Sequence, residues 1–248
     1  MERSENYSGY TEQETEALGG LLRLTGAITE EKCYNDPDLL IRLLRARDFK
    51  VPEAFEMWKK WHEWRITYKA ESITKEEMLP HIETGKAFYF STDKLNRPCL
   101  IVRARNHWPA QFSIDETMRF SIYLVEKGVK KADKLGSKQI CAIYDRGEMT
   151  SANRDNGLIS LFRTLVSMLQ DFYAERLGAL YILHVNWFFW AIFQVIRPFL
   201  SAKTREKIYV LKNLNDLQHH FDESNLMREY GGSNSYVHAY PVTTPKAQ

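Results

Sequence analysis

Residues 139–145 (QICAIYD) and 179–185 (ALYILHV) are nearly continuous apolar runs, and they constrain the fold more than any other feature of the chain. A strand with one wet face alternates apolar and polar residues. A run with no polar face must be covered on both sides, as in a parallel sheet clad by helices. Helical periods separate these runs. Residues 114–135 read as one long helix and 151–174 as another, the second with Leu158, Leu161, Phe162, Leu165, Met168, Leu169 and Phe172 on its buried side. Segments 87–91 and 98–104, joined by a polar turn, read as a hairpin-like pair of strands, and 207–211 as a last strand. Strands alternating with long helices imply an α/β fold with about five strands, mostly parallel.

A small all-helical unit precedes this sheet. Residues 1–30 read as a flexible arm with one short helix near 11–24, residues 31–74 as the helical unit, 75–240 as the main domain and 241–248 as a loose tail. Asp36 is a suitable N-cap and Pro37 suits a first helical turn, so a helix starts there with Leu39, Leu40, Leu43 and Leu44 on one stripe. The next helix starts near Pro52 and carries Phe55, Trp58 and Trp61, with Trp64 and Ile66 close by, at spacings of three and four; an aromatic stripe at that spacing is core. In the main domain a third short helix is expected around 74–83, and a final one over 223–230 closed by Gly231-Gly232.

Several function classes are disfavoured. Lys plus Arg total 34 against 32 Asp plus Glu, a net +2, which argues against a nucleic-acid binder. The basic run over 119–138 reads as a solvated helix face. Cys33, Cys99 and Cys141 form no framework, which suits reduced thiols in a cytosolic protein. The first residues lack an apolar signal region, and the longest apolar run, 187–193, is far shorter than the ~20 residues of a spanning helix. No GxGxxG, GxxxxGK, GxSxG or HExxH is present. The chain is therefore read as a non-enzyme with no catalytic residues and no metal site. His184, inside an apolar run, reads as a hydrogen-bonded core histidine.

Residues 187–200 (WFFWAIFQVIRPFL) are apolar around nearly the whole helical circumference. Such a helix must be covered by protein, by bilayer or by an apolar ligand. The sequel, SAKTREKI, places Thr204, Arg205 and Lys207 just beyond it. An apolar helix with a polar, basic exit suits an amphiphile whose phosphate sits at the rim.

Three blocks carry a family resemblance: LLIRLLRARDFKVPEAFEMWKKWHEWR (39–65), YAERLGALYILHVNWFFWAIFQVIRPFLSAKTREKIYVL (173–211) and EYGG (229–232). In that order they resemble the CRAL-TRIO proteins, within them the phosphatidylinositol/phosphatidylcholine transfer branch, over roughly residues 36–240. The resemblance implies a sheet flooring a hydrophobic cavity and a mobile helical gate, 187–200, opening at the bilayer. It implies headgroup contacts from Arg47, Glu175, Thr204 and Lys207, with Trp187, Phe188, Trp190, Phe193, Ile196 and Phe199 as gate or acyl-facing candidates. The expected ligand is one phospholipid, phosphatidylinositol foremost, with no other cofactor. The expected protein is a cytoplasmic, peripherally membrane-associated monomer. Three departures bear on this. Asp48 stands where the family has a second basic residue. Ala174 replaces a proline. Ile140 and Ala142 stand where the choline lipid's phosphate would meet hydroxyls, so phosphatidylcholine is the weaker ligand and the second lipid stays open. Rival readings are a carrier of haem, a sterol or a retinoid-like molecule on the same fold, a protein-interaction adaptor, and a dispersed-site hydrolase.

Energy sets the architecture such a carrier needs. At about 0.8 kcal/mol per CH₂, two chains of roughly sixteen carbons would cost on the order of 25 kcal/mol to leave in water. The chains need an enclosed cavity and must leave it in contact with a bilayer.

Overall fold

The computed structural model describes residues 10–153 and 158–238, apart from the side chains of Leu158 and Leu161. The chain divides into two compact units: residues up to 69 together with 169–175, and residues 70–168 together with those from 176 onward.

The first unit holds three helices. Helix α1, Glu12–Gly26, opens with a capping box in which the Thr11 hydroxyl accepts from the Glu14 N–H and the Glu14 carboxylate accepts from the Thr11 N–H. Helix α2, Pro37–Ala46, is capped by Asp36 with Pro37 in its first turn, and α3 spans Val51–Tyr68. Leu18 and Leu21 of α1, Leu40, Leu43 and Leu44 of α2 and Trp58 of α3 are fully buried together. The flexible arm expected over residues 1–30 is therefore corrected for 12–26, because α1 buries a leucine face in the unit's core. Residues 1–9 lie outside the described ones. The buried stripe of α3 is Ala54, Met57, Trp58 and Trp61, while Ile66 is exposed. The Trp58 indole N–H donates to the Tyr34 carbonyl at 2.8 Å. Trp64 stacks on Phe172 with ring centroids 4.4 Å apart.

The second unit is built on a five-stranded sheet in sequential order: β1 Ala87–Thr92, β2 Pro98–Arg103, β3 Ile140–Asp145, β4 Leu177–Leu183 and β5 Ile208–Val210. β1 and β2 are antiparallel; the other pairs are parallel. Helix α4, Leu79–Glu83, precedes β1. Helix α5, Ile114–Leu135, links β2 to β3, α6, Leu158–Phe172, links β3 to β4, and α7, Trp187–Ile196, with α8, Ala202–Arg205, links β4 to β5. Parallel crossovers are right-handed and here all step the same way, which puts the crossover helices on one face. The contacts agree. Tyr89 on that face donates its hydroxyl to the Leu124 carbonyl of α5, and Tyr144 meets Phe162 of α6 edge-on at 6.2 Å.

The other face is sealed by the C-terminal segment. Leu217, Phe221, Leu226, Met227 and Tyr230 pack on Phe88, Ile101, Ile143 and Tyr181, all of them buried. The helix expected over 223–230 is corrected: it is two 3-10 turns, Glu223–Asn225 and Arg228–Tyr230, separated by extended backbone at Leu226 and Met227. The extended stretch turns its carbonyls to the closing turn: that of Leu226 accepts from the Asn234 N–H at 3.0 Å and that of Met227 from the Gly232 N–H at 3.1 Å. Gly231 follows in the left-handed region at φ 82°, where glycine has no steric penalty. The short helix expected around 74–83 is confined to α4, preceded by a turn.

Candidate functional site

The two sheet faces are buried very differently. In register along the sealed face, Cys141, Ile143 and Tyr181 are wholly inaccessible. On the helix face, Leu100, Ile140, Ala142 and Ile182 are buried, but Val102, Tyr144, Leu180, Ile208 and Val210 beside them are only half-buried. The part of α6 in this unit matches: Phe162, Leu165 and Met168 are half-buried, as are Leu169 and Phe172 in the first unit, and among the described side chains of α6 none is fully buried. The buried side expected for this helix is thus corrected to a half-buried one, with Leu158 and Leu161 outside the described side chains. Its apolar surface and that of the sheet beneath are incompletely filled by protein. Ile140 and Ala142 stand on this helix face, next to Leu100 and Leu180.

Helix α7 is capped by Asn186, whose side chain accepts from the Phe189 N–H at 3.0 Å, and it runs into a 3-10 turn at Arg197–Phe199. Phe189 and Ile196 are buried, with Phe188, Ile192 and Phe193 half-buried. The opposite side is open: Trp187 is 79% exposed, Val195 50%, and Trp190 and Phe199 43% each. An apolar helix that leaves two tryptophans, a valine and a phenylalanine in solvent is no ordinary core helix. The Arg146 guanidinium lies over the Phe189 ring at 4.9 Å and that of Arg163 over Phe199 at 4.2 Å, each joining the helix or its turn to the rest of the second unit. The buried Phe189 and exposed Val195 were not among the residues expected from sequence. A helix apolar on every side gives no sequence signal for which of them is covered.

The four headgroup candidates fall in both units. Arg47, half-buried, caps the C-terminus of α2 and donates through Nη1 to the Ala46 carbonyl at 3.1 Å, followed by Asp48 and Phe49 in the left-handed region. Glu175, also in the first unit, is half-buried with φ 57° at the turn into β4. In the second unit, Thr204 and Lys207 lie one turn apart. The Ser201 hydroxyl caps α8 by accepting from the Thr204 N–H at 3.1 Å, and the Thr204 carbonyl accepts from the Lys207 N–H at 3.1 Å. The Lys207 carbonyl accepts from the Leu180 N–H at 2.8 Å, which ties this turn to β4.

A polar network at the carboxyl ends of the strands escaped sequence reasoning. Asp145, 2% exposed, ends β3. Its carboxylate accepts from the Gly147 N–H at 2.8 Å, Arg105 Nη1 at 2.9 Å and the Tyr230 hydroxyl at 3.1 Å, and pairs with His184 Nδ1 at 2.8 Å. Burial alone would raise the Asp145 carboxyl, but the Gly147 N–H, His184 and Arg105 together hold it below the usual aspartate value. Glu229 pairs with both Arg103 and Arg105, so the EYGG turn is clamped to the ends of β2 and β3. His184 is corrected from a core histidine: it lies one residue past β4, has φ 54° and keeps 45% of its side chain exposed. Alternation along an apolar run cannot show where the strand stops.

Among the described residues no helix is long and apolar enough to cross a membrane. The CRAL/TRIO domain model matches residues 82–232 and the CRAL/TRIO N-terminal domain model residues 10–60. Patellin-4 of Arabidopsis thaliana is 30% identical over 203 residues, covering 78% of this chain and 37% of that protein. Phosphatidylinositol transfer protein CSR1 of Eremothecium gossypii is 27% identical over 221 residues, 83% of this chain and 49% of that one. The chain thus spans half or less of the length of these relatives. Among solved structures, that of Sfh5 superposes with a TM-score of 0.72 at 17% identity, covering 91% of this chain and 88% of its own. A matched sheet domain with its matched helical preface leads to one conclusion: this chain belongs to the CRAL/TRIO domain family.

Proposed function

We propose that this chain binds one phospholipid, phosphatidylinositol foremost, and exchanges it at membrane surfaces, with α7 and its 3-10 turn as the gate. The observation that carries the reading is the unequal burial of the two sheet faces. The sealed face is closed by protein, whereas the helix face presents half-buried apolar side chains from β2 to β5 and α6. Acyl chains are the natural complement of such a surface, since each buried CH₂ contributes about 0.8 kcal/mol. The exposed Trp187 and Trp190 suit the bilayer interface, where amphipathic rings sit with one edge wet.

In the second unit the headgroup falls to Thr204 and Lys207, the hydroxyl donating to the phosphodiester and the ammonium pairing with it; Arg47 and Glu175 of the first unit are the further headgroup candidates that the family resemblance implies. Ile140 and Ala142 offer no hydroxyl on the helix face, which favours inositol over choline lipid. The CSR1 relative, by its name a phosphatidylinositol transfer protein, points the same way. The reading involves no covalent step, and the protein works as a cytoplasmic, peripherally associated monomer.

Transfer of labelled phosphatidylinositol between liposomes tests this. Wild type is expected to move inositol lipid, and Lys207→Ala or Thr204→Ala to slow that transfer about tenfold or more. No transfer by wild type sinks the reading. Unchanged transfer by both variants sinks the headgroup assignment.

A further inference from the structure

An open cleft of about 390 Å³ lies at the carboxyl ends of β4 and β5, lined by His184, Lys212, Asn213 and Asn215 over a floor that includes Leu183 and Leu211. The carboxyl edge of parallel strands is where α/β sheets commonly present ligand sites. Three observations give this cleft a chemical character.

The His184 imidazole is held in place from one side. Its Nδ1 meets Asp145 Oδ1 at 2.8 Å, and that carboxylate is buried and anchored by Gly147, Arg105 and Tyr230. An ionised carboxylate only accepts, so Nδ1 carries the proton and Nε2 is the nitrogen left for a ligand. The ring edge bearing Nδ1 is packed close to Gly147, where an added Cβ would stand 2.9 Å from Nδ1. The backbone at His184 is in the left-handed region, a strained state for a non-glycine residue that clusters at functional positions. Lys212 brings a cation to the same cleft, and Asn213 and Asn215 bring amides.

We propose that this cleft binds a phosphate monoester group, with His184 and Lys212 as its two anchors. A monoester has a second pKa near 6, so around neutrality it offers both a P–OH and anionic oxygens. The P–OH donates to the unprotonated Nε2, and Lys212 Nζ donates to the remaining oxygens. A phosphodiester has no P–OH and cannot donate to the neutral ring. The site is also separate from the turn that holds Thr204 and Lys207. Lys207 precedes β5 and Lys212 follows it, five residues apart, roughly 16 Å of extended chain. The inference goes beyond phosphatidylinositol transfer and does not depend on it.

Titration of the full chain with inorganic phosphate, followed by ¹⁵N NMR of the histidine rings, tests the site. One imidazole Nε2 is expected to shift saturably, its signal absent in His184→Asn, a residue that tolerates the left-handed backbone. Lys212→Ala, an exposed position, is expected to weaken binding by about tenfold or more. Absence of a saturable shift, or the same affinity in Lys212→Ala, overturns the proposal. Phosphatidylcholine vesicles carrying phosphatidic acid or phosphatidylglycerol then identify the source. Loss of binding to the phosphatidic acid vesicles alone in His184→Asn assigns the group to a lipid. A phosphate shift with unaltered vesicle binding assigns it to a soluble ester. Phosphatidylinositol transfer by Lys207→Ala is scored separately, so either reading can fail without the other.

Discussion

The Tyr230 hydroxyl donates to Asp145 Oδ2 at 3.1 Å, tying the EYGG turn to the end of β3 across 85 positions of sequence. Both residues are buried, at 1% and 2% exposure. Asp145 keeps Gly147, Arg105 and His184 when that hydroxyl is removed, so Tyr230→Phe is expected to cost about 1–2 kcal/mol in urea unfolding. Asp145→Asn removes the buried charge that Arg105 and His184 face, although Arg105 keeps Glu229 and Glu148, and should cost more. The Asp145 carboxyl lies below its ordinary value in the folded state. Its contribution is therefore present above the unfolded aspartate value and lost as pH falls through the folded one. Acid unfolding of Asp145→Asn should be correspondingly shallower below about pH 4.

The two glycines of the same turn answer to different constraints. Gly231 needs its left-handed φ, so Gly231→Ala should cost about 1 kcal/mol. A Cβ on Gly232 would run into the Leu226 carbonyl, a backbone group that cannot rotate away. Gly232→Ala should therefore destabilise more than Gly231→Ala, with thermal melting as the readout; the opposite order would refute the packing argument.

Lys86 gives the second unit a pH dependence of its own. Its side chain is 4% exposed, and Nζ has no hydrogen-bond partner among the described residues and sits 4.2 Å from the Phe112 ring centroid. Burial lowers the ammonium to about 7, with Glu116 opposing weakly. Between pH 7 and the unfolded value of 10.5 the unfolded chain holds the proton and the folded chain does not, so stability rises with pH across that window. Below 7 both states are protonated, and the folded chain bears the whole cost of a buried ammonium, about 1.4 kcal/mol for every tenfold loss of proton affinity. Lys86→Met is expected to stabilise the fold by on the order of 2–4 kcal/mol at pH 6 and to flatten the rise above pH 7. Denaturant midpoints from pH 6 to 10 check both.

The parts of this fold legible in the sequence are those where one local signal decides the outcome. Continuous apolar runs mark β3 and β4, whose side chains on both faces are buried or half-buried. The cap Asp36 with Pro37 likewise marks α2. Signals fail where tertiary contact overrides local pattern. Residues 223–230 have helical composition, yet Leu226 and Met227 are drawn out flat onto the sheet. His184 sits in an apolar run, but the strand ends at Leu183 and the ring turns to Asp145. Of the site, Thr204 and Lys207 are legible as a polar turn after an apolar helix. Asp145 is not, because its four partners come from residues 105, 147, 184 and 230.

Helix α7 should separate stability from membrane work within ten residues. Phe189 and Ile196 are 9% and 8% exposed, so Phe189→Ala and Ile196→Ala leave cavities expected to cost about 2–4 kcal/mol. Trp187 is 79% exposed, so Trp187→Ala should move stability by no more than about 0.5 kcal/mol, whereas Trp190, 43% exposed and against Phe189 and Phe193, should cost about 1 kcal/mol on truncation. If their rings enter the bilayer interface, each contributes about 1 kcal/mol there, and the double substitution should lower vesicle binding and lipid transfer by roughly tenfold or more. Calorimetry and a liposome transfer assay on the same four variants resolve this. Unchanged transfer in the tryptophan pair would remove α7 from the membrane contact, and a large loss of stability there would return it to the core.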